Sequence, residues 1–299
     1  MNAVGTLRER RVGLWTGTLD ALPVHQMLEV AAEIEALGYG SLWFGEAYGR
    51  ECLTTSLALT NATGTLVVGT GIANIYARGA MATSAAARLV HALAPGRFIL
   101  GLGVSHQPLV ERDRGTRYLP PVQAMNDFLD GMDRAPYFGA DADLPPLALA
   151  ALGPKMLELS RDRAAGAHPY LVTPEHTRKA REILGDGPLL VVEQAAVLNQ
   201  DRSEGLRRAH QHLNIYTGLP NYKNSWLREG FTESDFVRGG SEKLAAALVV
   251  QGDEAAVRGR ILEHLQAGAD HVCVQLLGRD VFQAPLDEWR VLAPAVREI

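Results

Sequence analysis

Two glycine-rich turns carry side chains that could do chemistry. Gly69-Thr70-Gly71-Ile72-Ala73-Asn74 follows the apolar run Leu66-Val67-Val68, and Gly101-Leu102-Gly103-Val104-Ser105-His106 follows Phe98-Ile99-Leu100. Small residues at strand ends let a flat ligand lie close to the backbone, where Asn74, Ser105 and His106 would touch it. His106 stands out because an imidazole holds or releases a proton near neutral pH. A surface histidine after a strand is the plainer reading of the same residue.

Glu46 follows the apolar pair Trp43-Phe44 and is expected to be partly desolvated, placed to orient a polar ring edge or relay a proton. It would equally serve as a cap for the next helix. Gly153-Pro154-Lys155 precedes a helical run, Met156 to Ala164. Proline suits the first helical position, and the free N–H groups beside a lysine make an anion site, where a phosphate is expected. An ordinary helix start explains the same three residues.

Other patterns fail on inspection. Both glycine turns begin like a dinucleotide fingerprint, but one has His106 and the other Asn74 where the third glycine belongs. Gly103-Val104-Ser105-His106-Gln107 departs from a nucleophile elbow at its last position. His210 and His212 are two apart on a helix and diverge, so no metal site is expected from them. Cys52 and Cys273 provide neither a disulfide framework nor a zinc site.

The elements that must position these residues alternate along the chain. Eight short apolar runs, Val12–Trp15, Ser41–Phe44, Leu66–Ile72, Arg97–Leu102, Leu147–Leu152, Ala167–Tyr170, Leu189–Leu198 and His271–Leu276, are mostly followed by amphipathic stretches. This pattern predicts an α/β fold, a (β/α)8 TIM barrel, with an open doubly wound sheet as the alternative. Helices are expected from Val24 to Leu37, stopping at Gly38, from Ala80 to Leu93, behind an N-cap at Thr173, and from Glu254 to Ala267. Residues 199–252 are long, polar and aromatic, and read as a helical insertion between strands seven and eight, a lid within a single domain spanning 1–299. A helical elaboration on the barrel's side is the other reading. Chemistry in such a barrel sits at the C-terminal strand ends. Trp15, His168, Tyr170, Glu193 and Gln275 are therefore expected to line a substrate pocket.

Composition narrows the classes of ligand. The chain has 299 residues, 47% hydrophobic, with a formal net charge of −5 and no basic stripe, which argues against a nucleic-acid surface. No apolar segment approaches the ~20 residues that span a bilayer, and the N-terminus lacks a signal-peptide core, so a cytoplasmic protein with a small-molecule partner is expected.

The motifs together resemble the bacterial luciferase-like superfamily, and within it the branch that uses the deazaflavin coenzyme F420. The resemblance covers nearly the whole chain and is most specific in Leu42-Trp43-Phe44-Gly45-Glu46, Val68-Gly69-Thr70-Gly71-Ile72, Pro95 to Gly103, and Ala151-Leu152-Gly153-Pro154-Lys155. It implies a non-proline cis peptide between Gly71 and Ile72 against the deazaflavin ring. It also implies an acid at Glu46, a polar cofactor contact at Asn74, the phosphate at Gly153 to Lys155, and a homodimer. Gly103, Ser105 and His106 complete the expected cofactor site. Sugar and alcohol dehydrogenases of this branch have histidine directly after the strand-two acid, whereas this chain has Ala47, so no sugar substrate is assigned.

A deazaflavin supplies hydride chemistry, and the protein must then hold one ring face, place a substrate on the other and offer a proton. His106 is expected to carry the proton and Glu46 to polarise the ring edge, with Trp15, Tyr170 and the insertion's aromatic residues screening water. The competing expectations are an FMN-dependent two-component monooxygenase on the same fold and a non-catalytic flavin- or deazaflavin-binding protein.

Overall fold

Eight parallel strands close into a barrel. In the computed structural model, which describes residues 2–140 and 143–299, they are β1 (Val12–Trp15), β2 (Ser41–Phe44), β3 (Val67–Thr70), β4 (Phe98–Gly103), β5 (Leu147–Leu149), β6 (Gly166–Ala167), β7 (Leu189–Leu198) and β8 (His271–Leu276). Each pairs with the next, and β8 pairs with both β7 and β1 in registers that include Cys273↔Glu193 and Cys273↔Gly13. That closure excludes the open sheet. Helices cover the outside, so the strands are buried on both faces and read as continuous apolar runs.

The helices form where the apolar spacing asks for them. Val24–Ala36 buries Met27, Val30, Ala31 and Ile34 on one stripe, and the chain turns away at Gly38, whose φ of 89° suits glycine. Thr173 caps Pro174–Leu184 by accepting from the His176 N–H, a contact worth ~1 kcal/mol. The N-terminal helix Ala3–Glu9 plugs the bottom of the barrel: Ala3 and Leu7 pack with Trp43, Val67, Ile99, Val191 and Cys273 in the interior core.

Three strand boundaries differ from expectation. β3 ends at Thr70 because the next peptide, Gly71–Ile72, is cis, and the chain resumes as a two-residue strand, Ala73–Asn74, beside β4. β5 stops at Leu149. β6 is only Gly166–Ala167, after which the backbone leaves the sheet and reaches Leu171 at a φ of 53°.

Because β6 is so short, the upper edge of β7 would lack backbone partners, an unfavourable arrangement in a buried sheet. Val249–Gly252 fills it, pairing with Ala195–Leu198. The insertion is therefore not helical throughout, as expected. It comprises Arg202–Tyr216, Pro220–Arg228, a 3-10 turn at Glu233–Phe236, Glu242–Leu248 and this return strand. Leu213, Tyr222, Trp226, Phe236, Leu244 and Val249 pack with Leu171, Ala195 and Val197, making a second apolar core over the C-terminal ends of β6 and β7.

Candidate active site

Alternation along the strands sends every second side chain toward the barrel axis. On β7 these are Leu189, Val191, Glu193 and Ala195. Val191 lies in the interior core, Ala195 lies under the insertion, and Glu193 falls between them. His271, Cys273 and Gln275 climb β8 in the same register.

The space a side chain would take at each of these glycines is filled by a neighbouring residue. A Cβ on Gly69 would lie 2.5 Å from the Trp43 indole, and one on Gly103 would lie 2.4 Å from the Ile72 side chain. A Cβ on Gly71 would meet Trp15 Nε1 at 2.5 Å and His168 Nε2 at 2.8 Å. The missing side chains at Gly69 and Gly71 make room for aromatic ones, and that at Gly103 for Ile72. Trp43, fully buried, is the floor, with the His168 ring stacked on it at 4.5 Å. Trp15 stands beside the bulge and donates from Nε1 to the Gly71 carbonyl at 3.1 Å.

Glu46 is not a free acid. Its carboxylate pairs with Arg78 and accepts from the backbone N–H of Asn74 at 2.9 Å and of Cys52 at 3.4 Å. Arg78 also reaches Glu51 at 2.8 Å. Both its oxygens are engaged, tying Glu46 to the turn after the cis peptide. Arg78 was missed because its sequence distance from Glu46 gives no periodic signal. It also occupies the group Glu46, Glu51 and Cys52, the one set of potential metal ligands among the described residues.

Ser105 adopts a φ of 55°, a conformation L-residues rarely take, and His106 follows it half-buried. Burial lowers the His106 pKa, partly opposed by a hydrogen bond with Asn221 of the insertion, so the ring is neutral at pH 7. Its ring centroid lies 5.8 Å from that of Tyr222. Strand four and the insertion thus meet over the mouth.

Tyr170, just beyond β6, links β8 to the insertion. Its hydroxyl donates to Gln275 Oε1 at 2.7 Å, receives from Tyr216 at 3.2 Å and lies 3.5 Å from His212 Nε2. Its ring is 5.1 Å from that of Trp15. His210 instead bonds the Gly239 carbonyl, so the two insertion histidines do diverge. Glu193 is fully buried, and burial raises its pKa to about 8 against the single opposing bond from the Leu171 N–H. His168, whose Nδ1 bonds the Val191 carbonyl, is pushed down by burial to about 4.

Gly153 caps the helix Pro154–Arg163 and its carbonyl receives the N–H groups of Met156 and Leu157. Lys155 is exposed. Arg228 of the insertion comes to 3.6 Å from the Cβ position of Gly153 while donating to the Leu152 carbonyl. The expected anion turn therefore has a second cation beside it that sequence spacing did not indicate.

Of nine buried side-chain polar atoms without a partner among the described residues, four lie on or just beyond the barrel strands: Asn74 Nδ2, His106 Nδ1 and His168 Nε2 past the ends of β3, β4 and β6, and Glu193 Oε1 midway along β7. Buried polar groups are nearly always satisfied, so orphans gathered at one mouth mark where a ligand with polar edges would bind. Aromatic walls and scattered hydrogen-bonding groups suit a flat heteroaromatic ring such as a deazaflavin or flavin.

The chain belongs to the luciferase-like monooxygenase family, whose profile matches residues 4–271. A Mycobacterium tuberculosis protein provisionally described as a coenzyme F420-dependent oxidoreductase is 26% identical over 59% of this chain and 60% of its own length. The 5,10-methylenetetrahydromethanopterin reductase of Methanolobus tindarius is 28% identical over 52% of each. The chain thus spans little more than half the length of these relatives. An F420-dependent secondary alcohol dehydrogenase, solved with an F420-acetone adduct, superposes over 96% of this chain and 99% of its own with a TM-score of 0.75 at 14% identity. The FMN-bound oxygenating constituent of 3,6-diketocamphane monooxygenase from Pseudomonas putida superposes over 97% and 98% with a TM-score of 0.72 at 12% identity. At these identities the structures share the fold.

Proposed function

We propose that this chain is an F420-dependent oxidoreductase that moves a hydride between the deazaflavin and a small organic substrate. The observation that carries the reading is the set of orphaned polar atoms around the mouth beside the Gly71–Ile72 bulge. The relative described as an F420-dependent oxidoreductase favours the deazaflavin over FMN. When bound, the cofactor supplies the hydride chemistry.

The chain's residues would do the rest. Asn74 and Ser105 would bond the ring's polar edge, Gly71, Ile72 and Gly103 would form the wall behind it, and Gly153 to Lys155 would take the phosphate. Glu46, locked to Arg78, would keep Asn74 in place. His106, a neutral imidazole with a free Nδ1, would accept a proton at that atom when the substrate is oxidised. Trp15, Tyr170 and the insertion, acting as a lid, would exclude water. Residues 81, 85, 89 and 93 form an exposed apolar stripe on the helix Ala80–Leu93, with Met81, Leu89 and Leu93 each more than half exposed, and this stripe would pair two copies.

Fluorescence titration with F420 and with FMN tests the assignment. Tighter binding of FMN overturns it in favour of the monooxygenase reading, for which the FMN-bound structural neighbour speaks. His106→Ala is expected to keep F420 affinity within about tenfold while oxidative turnover falls ~10²-fold or more, the usual scale of acid-base catalysis. Bound F420 with no turnover of any alcohol, ketone or imine would point to a carrier.

A further inference from the structure

Glu193 has no task in the proton path through His106, yet its placement is unusual for a carboxyl. It sits on the axis-facing side of β7 with no exposed surface and no ion pair among the described residues. Oε2 accepts from the Leu171 N–H at 2.9 Å, and Oε1 has no partner. The titratable groups that feel it are Tyr170 from the β6 end, Tyr216 and Tyr222 from the insertion, and Cys273, its register partner on β8. None of them is a cation. An isolated carboxylate in such surroundings is costly, and the group relieves that cost by keeping its proton.

We propose that Glu193 is the acid of this site, a neutral carboxylic acid that gives the proton on its unpartnered oxygen to the substrate heteroatom during reduction. This rests on the oxidoreductase reading. In the balanced step, the carbon of a C=O or C=N acceptor receives a hydride, two electrons and a proton, from a reduced deazaflavin. The heteroatom takes the proton from Glu193, the π bond breaks, and new C–H and O–H or N–H bonds form. Glu193 is left as carboxylate and regains a proton from water after release. The same contact serves both directions: the Glu193 carboxylate left by reduction would take the proton back when that substrate is oxidised, so Glu193 and His106 are competing assignments for one proton, and the variants at the two positions decide between them. Below about pH 8 Glu193 holds the proton that reduction consumes.

The test combines a cofactor-independent and a kinetic readout. Infrared pH titration of the purified protein should show a protonated-carboxyl band at pH 7 that is missing in Glu193→Gln and disappears on ionisation near pH 8. With chemically reduced F420 bound, a ketone, an enone and a cyclic imine are offered as acceptors. Glu193→Gln is expected to lower kcat for reduction about 10²-fold or more with cofactor affinity within about tenfold, and Glu193→Asp to restore part of it. An ionised Glu193 at pH 7, an unchanged kcat in Glu193→Gln, or no reduction of any acceptor by the wild type overturns the donor role. If F420 fails to bind, the oxidoreductase reading falls. If it binds while the band titrates in the ordinary carboxylate range, the donor role alone falls.

Discussion

Acid should unfold this protein earlier than its carboxylates alone require. His168, His176, His264 and His271 are buried, and burial pushes the first, second and fourth down to about 4 and His264 to about 3. In the unfolded chain each returns to its ordinary value near 6.5. At pH 5 the unfolded state therefore binds more protons than the native state, and stability falls as pH drops from 6.5 toward 4. The four rings would take up about 3.5 protons on unfolding, while Glu193, protonated when folded and mostly ionised when unfolded, returns about one. The net of about 2.5 protons is worth roughly 3.5 kcal/mol per pH unit around pH 5, against a typical domain stability of ~5–15 kcal/mol. Urea-unfolding midpoints at pH 7, 6 and 5 measure it, provided refolding is reversible. A midpoint that stays level across that range would show that these rings are solvated or charged in the native state, and the argument for a dry interior would fail.

Three further outcomes follow from contacts described above. Gly69→Ala drives a methyl into the fully buried Trp43 indole and should cost ~1–3 kcal/mol, measured by chemical denaturation; an unaffected midpoint would mean that the floor is loosely packed. Arg78→Ala leaves Glu46 buried without its cation and should cost ~3–5 kcal/mol, whereas Glu46→Gln, which leaves Arg78 paired with Glu51, should cost less; equal losses would contradict the bracing role. If the stripe on Ala80–Leu93 pairs two copies, light scattering should report a dimer that Leu89→Lys converts to monomer, and a wild-type monomer would dismiss that interface.

The barrel was legible because its signal is repeated: eight apolar runs, each ending near a polar residue, leave few other architectures. Helix ends were readable wherever one residue has a dedicated role, as at Gly38 and Thr173. Strand ends were less so. The short β6 and the return strand Val249–Gly252 depend on which edge of β7 lacks a partner, a property of the assembled sheet that no local pattern carries. The same holds at the mouth. Glu46 and His106 could be picked out by type and position, but the commitment of Glu46 to Arg78 and the contacts of His106 with Asn221 and Tyr222 join segments far apart in sequence. The glycines were recognisable, but the neighbours they admit, Trp43 at Gly69, Trp15 and His168 at Gly71 and Ile72 at Gly103, come from other segments and could not be read locally.

The ladder between Val249–Gly252 and Ala195–Leu198 constrains how the mouth can be uncovered. At its far root the insertion is stitched into the barrel wall, while at its near root it leaves β7 through the turn at Asn199–Asp201. Asn221, Tyr222 and Arg228 all belong to the helix Pro220–Arg228, so the contacts that cover His106 and the anion turn are carried by a single element.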